Sequence, residues 1–290
     1  MTTYRQAAGG RAGASSRRVR LLRRAVIYLL LGVGVLICVV PLIWAVSSAF
    51  KTNSAIFSSP PQIVPSNPTL GNFRALGQVS FYQWLFTSLW TSAVSTAIAV
   101  IVCALGGYAF AKYEFPGKRI LFDVLFSSMM VPFAVILIPM FIEITDMNLA
   151  NSYLALIIPW LAPAFGIFMM RQFITQSVPT ALLEAARIDG ASEIGVFLRI
   201  VLPTVRPALA ALAVWQFLTS FNSFIWPLVA ISDPSRYTIP VGLNSLQGTF
   251  LRQYGTVIAG AVLSAVPAVI LFWALRKKLI EGLTVGAVKG

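Results

Sequence analysis

Nine carboxylates, two cysteines and no histidine are the whole stock from which this 290-residue chain could build acid–base, nucleophilic or metal chemistry. The acids are Glu114, Asp123, Glu143, Asp146, Glu184, Asp189, Glu193, Asp233 and Glu281, and only Asp123 falls inside a long apolar run, near one end of it. Without histidine there is no Cys/His metal spacing. Cys38 and Cys103 both sit in apolar runs and read as packing residues rather than a disulfide. No G-x-x-x-x-G-K-[ST] loop is present to cradle nucleotide phosphates. The set therefore offers no catalytic residue and no metal site. Asp123 apart, it also lacks the acids within apolar runs with which ion-coupled carriers work. A protein of this kind that moves solute against a gradient must receive its energy from another subunit, through a polar contact surface.

One segment is suited to that. Residues 177–207, SVPTALLEAARIDGASEIGVFLRIVLPTVRP, form the one long polar-interrupted stretch between apolar runs. Pro179 fixes φ at the start of a helix that runs to about Asp189, and Gly190 is placed to leave it in a left-handed conformation. Ser192 caps a second helix in which Ile194, Phe197, Leu198 and Val201 share one stripe, and Pro203 ends it. In the first helix Leu182, Ala185, Ala186 and Asp189 share a face on which the alanines permit close approach. Periodicity alone gives equal weight to a hairpin lying on lipid headgroups and to one docked on a protein.

Composition supplies the setting. The chain is 58% hydrophobic and 11% charged, with mean hydropathy +0.81, values of a polytopic membrane protein. Residues 1–24 carry seven Arg and no acid and read as an irregular basic tail that fixes orientation and touches anionic lipid. Residues 25–46 form a first span, since about 20 apolar residues cross a core of about 30 Å. Residues 47–83 are a polar, Pro-rich loop too irregular for lipid. Within residues 84–276 further spans are expected at about Trp84–Ala111, Ile120–Phe141, Tyr153–Met170, Thr204–Ala230 and Thr256–Leu275, followed by a tail over 277–290. Thr91, Ser92, Ser95 and Thr96 in the second span are spaced for contact with another helix.

Six spans put both termini on one side, and charge says which. Of the 22 Lys and Arg, 18 lie in the two tails, the 112–119 turn and the 171–206 loop, against 4 in the other three loops. The expectation is an all-α membrane protein with cytosolic N- and C-termini and the 177–203 segment on the cytosolic side. The net charge of +13 then reflects topology rather than nucleic-acid binding.

EAARIDGASEIGVFLRIVLP resembles the EAA loop of permeases of ATP-binding-cassette (ABC) importers, through Glu184, Ala185 and Ala186, then Gly190, then Ile200, Leu202 and Pro203. The resemblance implies that this loop, with Arg187 and Asp189 inside it, is a coupling helix inserted into a cytosolic ATPase. YAFAKYEFPGKR, MMVPFAVILIPMF, IIPWLAPAFGIFMMRQF and LIEGLTVGAVKG are similar to the carbohydrate branch, in particular the smaller maltose-type membrane subunit. What this implies is a type I importer permease fold and pairing with a second permease. Two ATPase subunits would carry the ATP and Mg, leaving this chain no cofactor of its own. An extracytoplasmic binding protein, anchored or secreted, would deliver the sugar. By the same similarity, the loop from Gly242 to Tyr254, with Gly242, Asn244, Ser245, Gln247 and Gly248, faces the binding protein. In span five Gln216, Ser220, Asn222 and Ser223 line a translocation pathway or bond between helices. The family pattern W-N-[DE]-F-x-W-P has Ser223 here where an acid is usual. The same machinery importing sn-glycerol 3-phosphate, and a non-transport membrane scaffold, are the alternatives.

Overall fold

The computed structural model describes the backbone of residues 10–249 and 253–287, with side chains over 21–246 and 253–277. Every regular element among them is helical. In chain order these are α1 (Gly10–Ala49), α2 (Asn53–Ile56), α3 (Gly71–Leu76), α4 (Phe81–Lys112), α5 (Lys118–Ser128), α6 (Phe133–Asp146), α7 (Tyr153–Ile157), α8 (Ala164–Ser177), α9 (Thr180–Ile188), α10 (Glu193–Val196), α11 (Leu202–Thr204), α12 (Arg206–Phe221), α13 (Ile225–Ala230), α14 (Ile239–Thr249) and α15 (Tyr254–Ala287).

Among the described residues, four stretches are long and apolar enough to cross a membrane: Leu21–Ala49, Phe81–Lys112, Tyr153–Ser177 and Tyr254–Lys277. Two bent pairs bring the total to as many as six. The first pair replaces the continuous third span expected at Ile120–Phe141: α5 and α6 meet at 106°. Pro132 has no amide proton to continue α5 and disfavours helical geometry at Val131, so the chain breaks there. In the second, Glu193–Thr204 meets α12 at 78°. Span five, expected to be continuous from Thr204, is thus α12 and α13 with an interruption at Asn222–Phe224.

Helix ends also move. α1 runs back to Gly10, into the stretch expected to be irregular, because its Ala, Leu and Arg residues are strong helix formers. α8 continues past Met170 to Ser177, which places Arg171 inside the span. The polar 47–83 loop holds α2 and α3 and is pinned to the end of α1. Asn72 donates to the carbonyls of Ala49 and Lys51, both at 2.8 Å, and the buried Lys51 ammonium lies over the Trp44 ring and donates to the Gln62 carbonyl.

α4 crosses α8 at close range. A Cβ on Gly107 would stand 2.6 Å from Met170 Cβ, and one on Gly166 would stand 2.6 Å from Cys103 Sγ. Small residues let membrane helices approach this way, where dispersion contacts rather than water exclusion drive association. Around the crossing, Tyr108, Ile174, Val196, Phe197, Val201 and Leu212 build one buried cluster, into which Leu183 of α9 is anchored. The hydroxyl face of α4 meets α12: Ser92 and Ser95 reach Ser220 at 3.3 and 3.4 Å.

Candidate functional site

The α9–α10 hairpin stands at the end of the bundle that also carries Lys112, Lys118 and Arg119, and its geometry follows from its caps. The amide of Gly190 donates to the Arg187 carbonyl at 3.0 Å and that of Ala191 to the Ala186 carbonyl at 2.9 Å, the paired bonds of a Schellman ending. Gly190 itself has φ +81°, where a side chain would be strained. Two residues on, Ser192 Oγ accepts from the Gly195 amide at 3.2 Å and starts α10. Both features lie where the sequence put them.

The apolar stripe expected on the second helix divides. A π-helical turn over Phe197–Val201 adds a residue to the repeat, so Val196, Phe197 and Val201 face the bundle while Ile194 and Leu198 point outward. On α9, Leu183 is 1% exposed but Ile188 is 86% exposed, and Ile194 beyond the turn is 73% exposed. Leu182 and Leu198 extend this bare apolar surface. Glu184, Ala185, Arg187, Asp189 and Gly190 all lie on the outer side of the hairpin, whereas Ala186, Ile200 and Leu202 pack against the buried cluster. Pro203 is half-buried within α11, and the break follows two residues later, at Val205. Glu184 and Asp189 make no ion pair with any described residue.

Besides the buried Leu183, a polar cluster ties the hairpin to α4. Arg187 contacts Glu193 through both ends of its guanidinium, at 2.7 and 3.2 Å, and lies over the Tyr113 ring. The Tyr113 hydroxyl donates to the same carboxylate, and its ring packs edge-on against Tyr108 in the bundle. The bonds from Arg187, then that from Tyr113, hold the Glu193 carboxyl below the usual carboxylate range. Burial, and next the bond to Glu193, push the Tyr113 phenol above its ordinary value. Sequence reasoning passed over Tyr113 and Glu193. They lie 80 residues apart, and a single chain carries no signal that pairs them.

The other candidate sets separate. Gln216 is fully buried and donates to the Trp160 carbonyl at 3.0 Å, and Ser220 faces α4, so both serve contacts inside the subunit. Asn222 is exposed and Ser223 half-buried at the interruption after α12. Residues 239–249, half of the expected connector, form α14, because the apolar positions of IPVGL pack inward: Gly242 is buried against the Trp84 ring, with no room for a Cβ. Asn244 is exposed and Ser245 half-buried. The side chains of Gln247 and Gly248 lie outside the described residues. Among the described residues no three metal-ligating side chains come together.

The geometry is that of a helical protein with four to six candidate membrane spans and an exposed, stapled hairpin. Residues 104–277 match the family described as binding-protein-dependent transport system inner membrane component, and the chain belongs to that family. It is 35% identical over 258 residues to the arabinooligosaccharides transport system permease protein AraQ of Halalkalibacterium halodurans, covering 88% of this chain and 92% of that one. It is 31% identical to the lactose transport system permease protein LacG of Rhizobium radiobacter, covering 93% and 98%. A crystal structure of a bacterial ABC transporter involved in import of the acidic polysaccharide alginate contains a chain of the same fold, with TM-score 0.79, 21% identity and coverage of 96% and 100%.

Proposed function

We propose that this chain is a translocating subunit of a binding-protein-dependent ABC importer for oligosaccharides or sugar derivatives, and that α9 is the element through which an ATPase drives it. The observation that carries the reading is the hairpin: a short helix with bare Ile188, Leu182 and Ala185, free acids at Glu184 and Asp189, and a rigid tie to α4 through Tyr113. Exposed apolar surface of this kind marks a protein interface, and the EAA-type sequence lies on it. Closure of a partner ATPase dimer, which holds the ATP and Mg, would press on α9. The staple would pass that motion to α4 and so rock two paired permeases between inward- and outward-facing states. Glu184 meets a basic group on the ATPase, Ala185 lets the helix sit deep, and Gly190 permits the turn.

The orientation follows from charge. With each bent region counted as one span there are six, and the excess of Lys and Arg at the hairpin end makes that end, and both termini, cytosolic. The opposite end, with Asn244 exposed on α14, then meets the binding protein. The carbohydrate assignment is supported by the sugar-transport relatives. Carriage of sn-glycerol 3-phosphate would need a cation along the pathway from the partner permease.

The test is Gly190→Asp in the native operon. The protein should reach the membrane in normal amount, lose solute uptake and no longer copurify with an ATPase. Normal uptake by that variant defeats the docking assignment. Ligand screening of the copurifying binding protein decides between neutral sugars and sn-glycerol 3-phosphate.

A further inference from the structure

We infer that the cleft where α4, α5 and α8 meet, at the hairpin end of the bundle, is a binding site for an anionic phospholipid whose headgroup phosphate is received by Arg171. The inference needs only that the chain spans a membrane, and not the docking role proposed for α9.

The cleft encloses about 860 Å³ and is walled by Phe110, Phe115 and Phe122, with Lys118, Arg119 and Arg171 opening onto it. Arg171 is the unusual member. It lies six residues before the end of α8, or about 9 Å along the axis at 1.5 Å per residue, which sets it near the boundary between headgroups and acyl chains. A guanidinium at that depth needs a partner, and an ionisable group within a span is by default a mark of function. No described carboxylate supplies one. Of the two acids of the cleft, Glu114 is paired with Lys118 at 2.8 Å, and Asp123 is solvent-exposed with Arg119 the nearest cation at 4.0 Å. Three cations against two carboxylates leave one positive charge.

The remaining contacts of Arg171 orient it. Its Nε donates to the Phe110 carbonyl at 3.4 Å and its guanidinium lies over the Phe122 ring at 4.0 Å. The two terminal nitrogens make no hydrogen bond with any described residue. They form a fixed fork, the shape that takes two phosphate oxygens at once. Beside the cleft, Ile120, Leu121 and Val124 of α5 present a bare apolar face. A free phosphate would use the fork and leave that face uncovered. An anionic phospholipid uses both, as basic pockets between membrane helices do.

The full-length protein, with whatever subunits accompany it, is exchanged into detergent containing equal phosphatidylglycerol and phosphatidylcholine, and retained lipid is counted by native mass spectrometry. Wild type should hold phosphatidylglycerol in preference. Arg171→Gln should lower that retention about tenfold, the cost of losing one charge-assisted pair of bonds. Arg171→Lys, which keeps the charge but not the fork, should fall between. Arg74→Gln, on α3, should match wild type. If Arg171→Gln does not reach the membrane, Lys118→Gln, which unpairs Glu114 in the cleft, is expected to lower retention in its place. Undiminished phosphatidylglycerol on Arg171→Gln, or on Lys118→Gln in that case, overturns the site, as does equal retention of phosphatidylcholine. Displacement of the lipid by millimolar inorganic phosphate would mean that the site takes a free anion. A photocrosslinker at position 120 that captures a protein subunit instead of lipid would mean that a partner covers the cleft.

Discussion

Trp84, Asn151, Asp233 and Arg236 tie one end of the bundle together, and Tyr113, Arg187 and Glu193 hold the hairpin at the other. At the first end each tie uses backbone. The Trp84 indole donates to the Pro234 carbonyl at 2.8 Å, Asn151 Oδ1 accepts from the amides of Ser232 and Asp233 at 3.2 and 3.0 Å, and Arg236 donates to the Asn151 carbonyl. Asp233 takes both the amide and the hydroxyl of Ser235, bonds that hold its carboxyl below the usual range. Beneath this lies the fully buried Trp226, donating to the Ala155 carbonyl at 2.8 Å. The hairpin end has one exposed carboxylate shared by an arginine and a tyrosine, with isoleucines bare on either side. The first end cannot shift without stranding backbone groups. The second is tied to α4 by one polar cluster beside the buried Leu183, and its outer apolar surface is bare. Rigidity and exposure are thus divided between the ends.

The largest expected effect tests that division directly. Trp226→Ala should cost about 3–5 kcal/mol, the range for emptying a buried aromatic site, and should sharply lower the melting temperature in detergent. Ile188→Ala at the hairpin should stay within about 0.5 kcal/mol of wild type. Equal loss from both would mean that Ile188 is buried within the subunit, and the comparison would fail.

Two glycines carry the contrast at smaller scale. A Cβ on Gly242 would meet the Trp84 ring at 2.2 Å, so Gly242→Ala should destabilise by about 1–3 kcal/mol through overpacking. Nothing lies within 4 Å of the same atom on Gly190, where the penalty is the φ of +81° alone, about 1–2 kcal/mol for Gly190→Ala. Thermal unfolding of the two variants should rank them in that order. The double variant Gly242→Ala with Trp84→Leu should recover part of the first loss, while no neighbouring change relieves the second.

How far the sequence anticipates this molecule depends on the range of the interaction. The turn at Gly190 and the cap at Ser192 are set by a few consecutive residues, and the sequence shows them directly. Apolar length places the spans Leu21–Ala49, Phe81–Lys112 and Tyr254–Lys277, because crossing hydrocarbon is a requirement on composition. The break at Pro132 has a local cause but sits inside an apolar run, where hydropathy outvotes it. The π-helical turn at Phe197 re-aims a stripe that a 3.6-residue period would keep whole. Gln216 and Ser220 show the limit most plainly: a polar residue in an apolar helix is compatible with a pathway or a partner helix, and the contacts with Trp160 and Ser92 come from elements far away in sequence. Gly242 looks like a loop residue until Trp84, 158 positions away, is seen pressed against it.

The smallest effect concerns the staple itself. Glu193→Gln should leave the melting temperature unchanged, because an exposed ion pair adds little to global stability. It should speed amide exchange over residues 185–195 severalfold, since this cluster adds to the buried Leu183 in opposing local opening there. The pH dependence has a definite sign. Arg187 and Tyr113 lower the folded-state value of Glu193, so its contribution is complete above the ordinary glutamate value of about 4.3 and is lost as pH falls through the lower, folded one. Tyr113, raised by burial and by Glu193, stays protonated and donating past its usual value of about 10. The exchange difference between wild type and Glu193→Gln should therefore be constant from about pH 5 to 9 and shrink only in stronger acid. A difference that vanished near neutrality would show that another group, not this carboxylate, supplies the polar tie between the hairpin and α4.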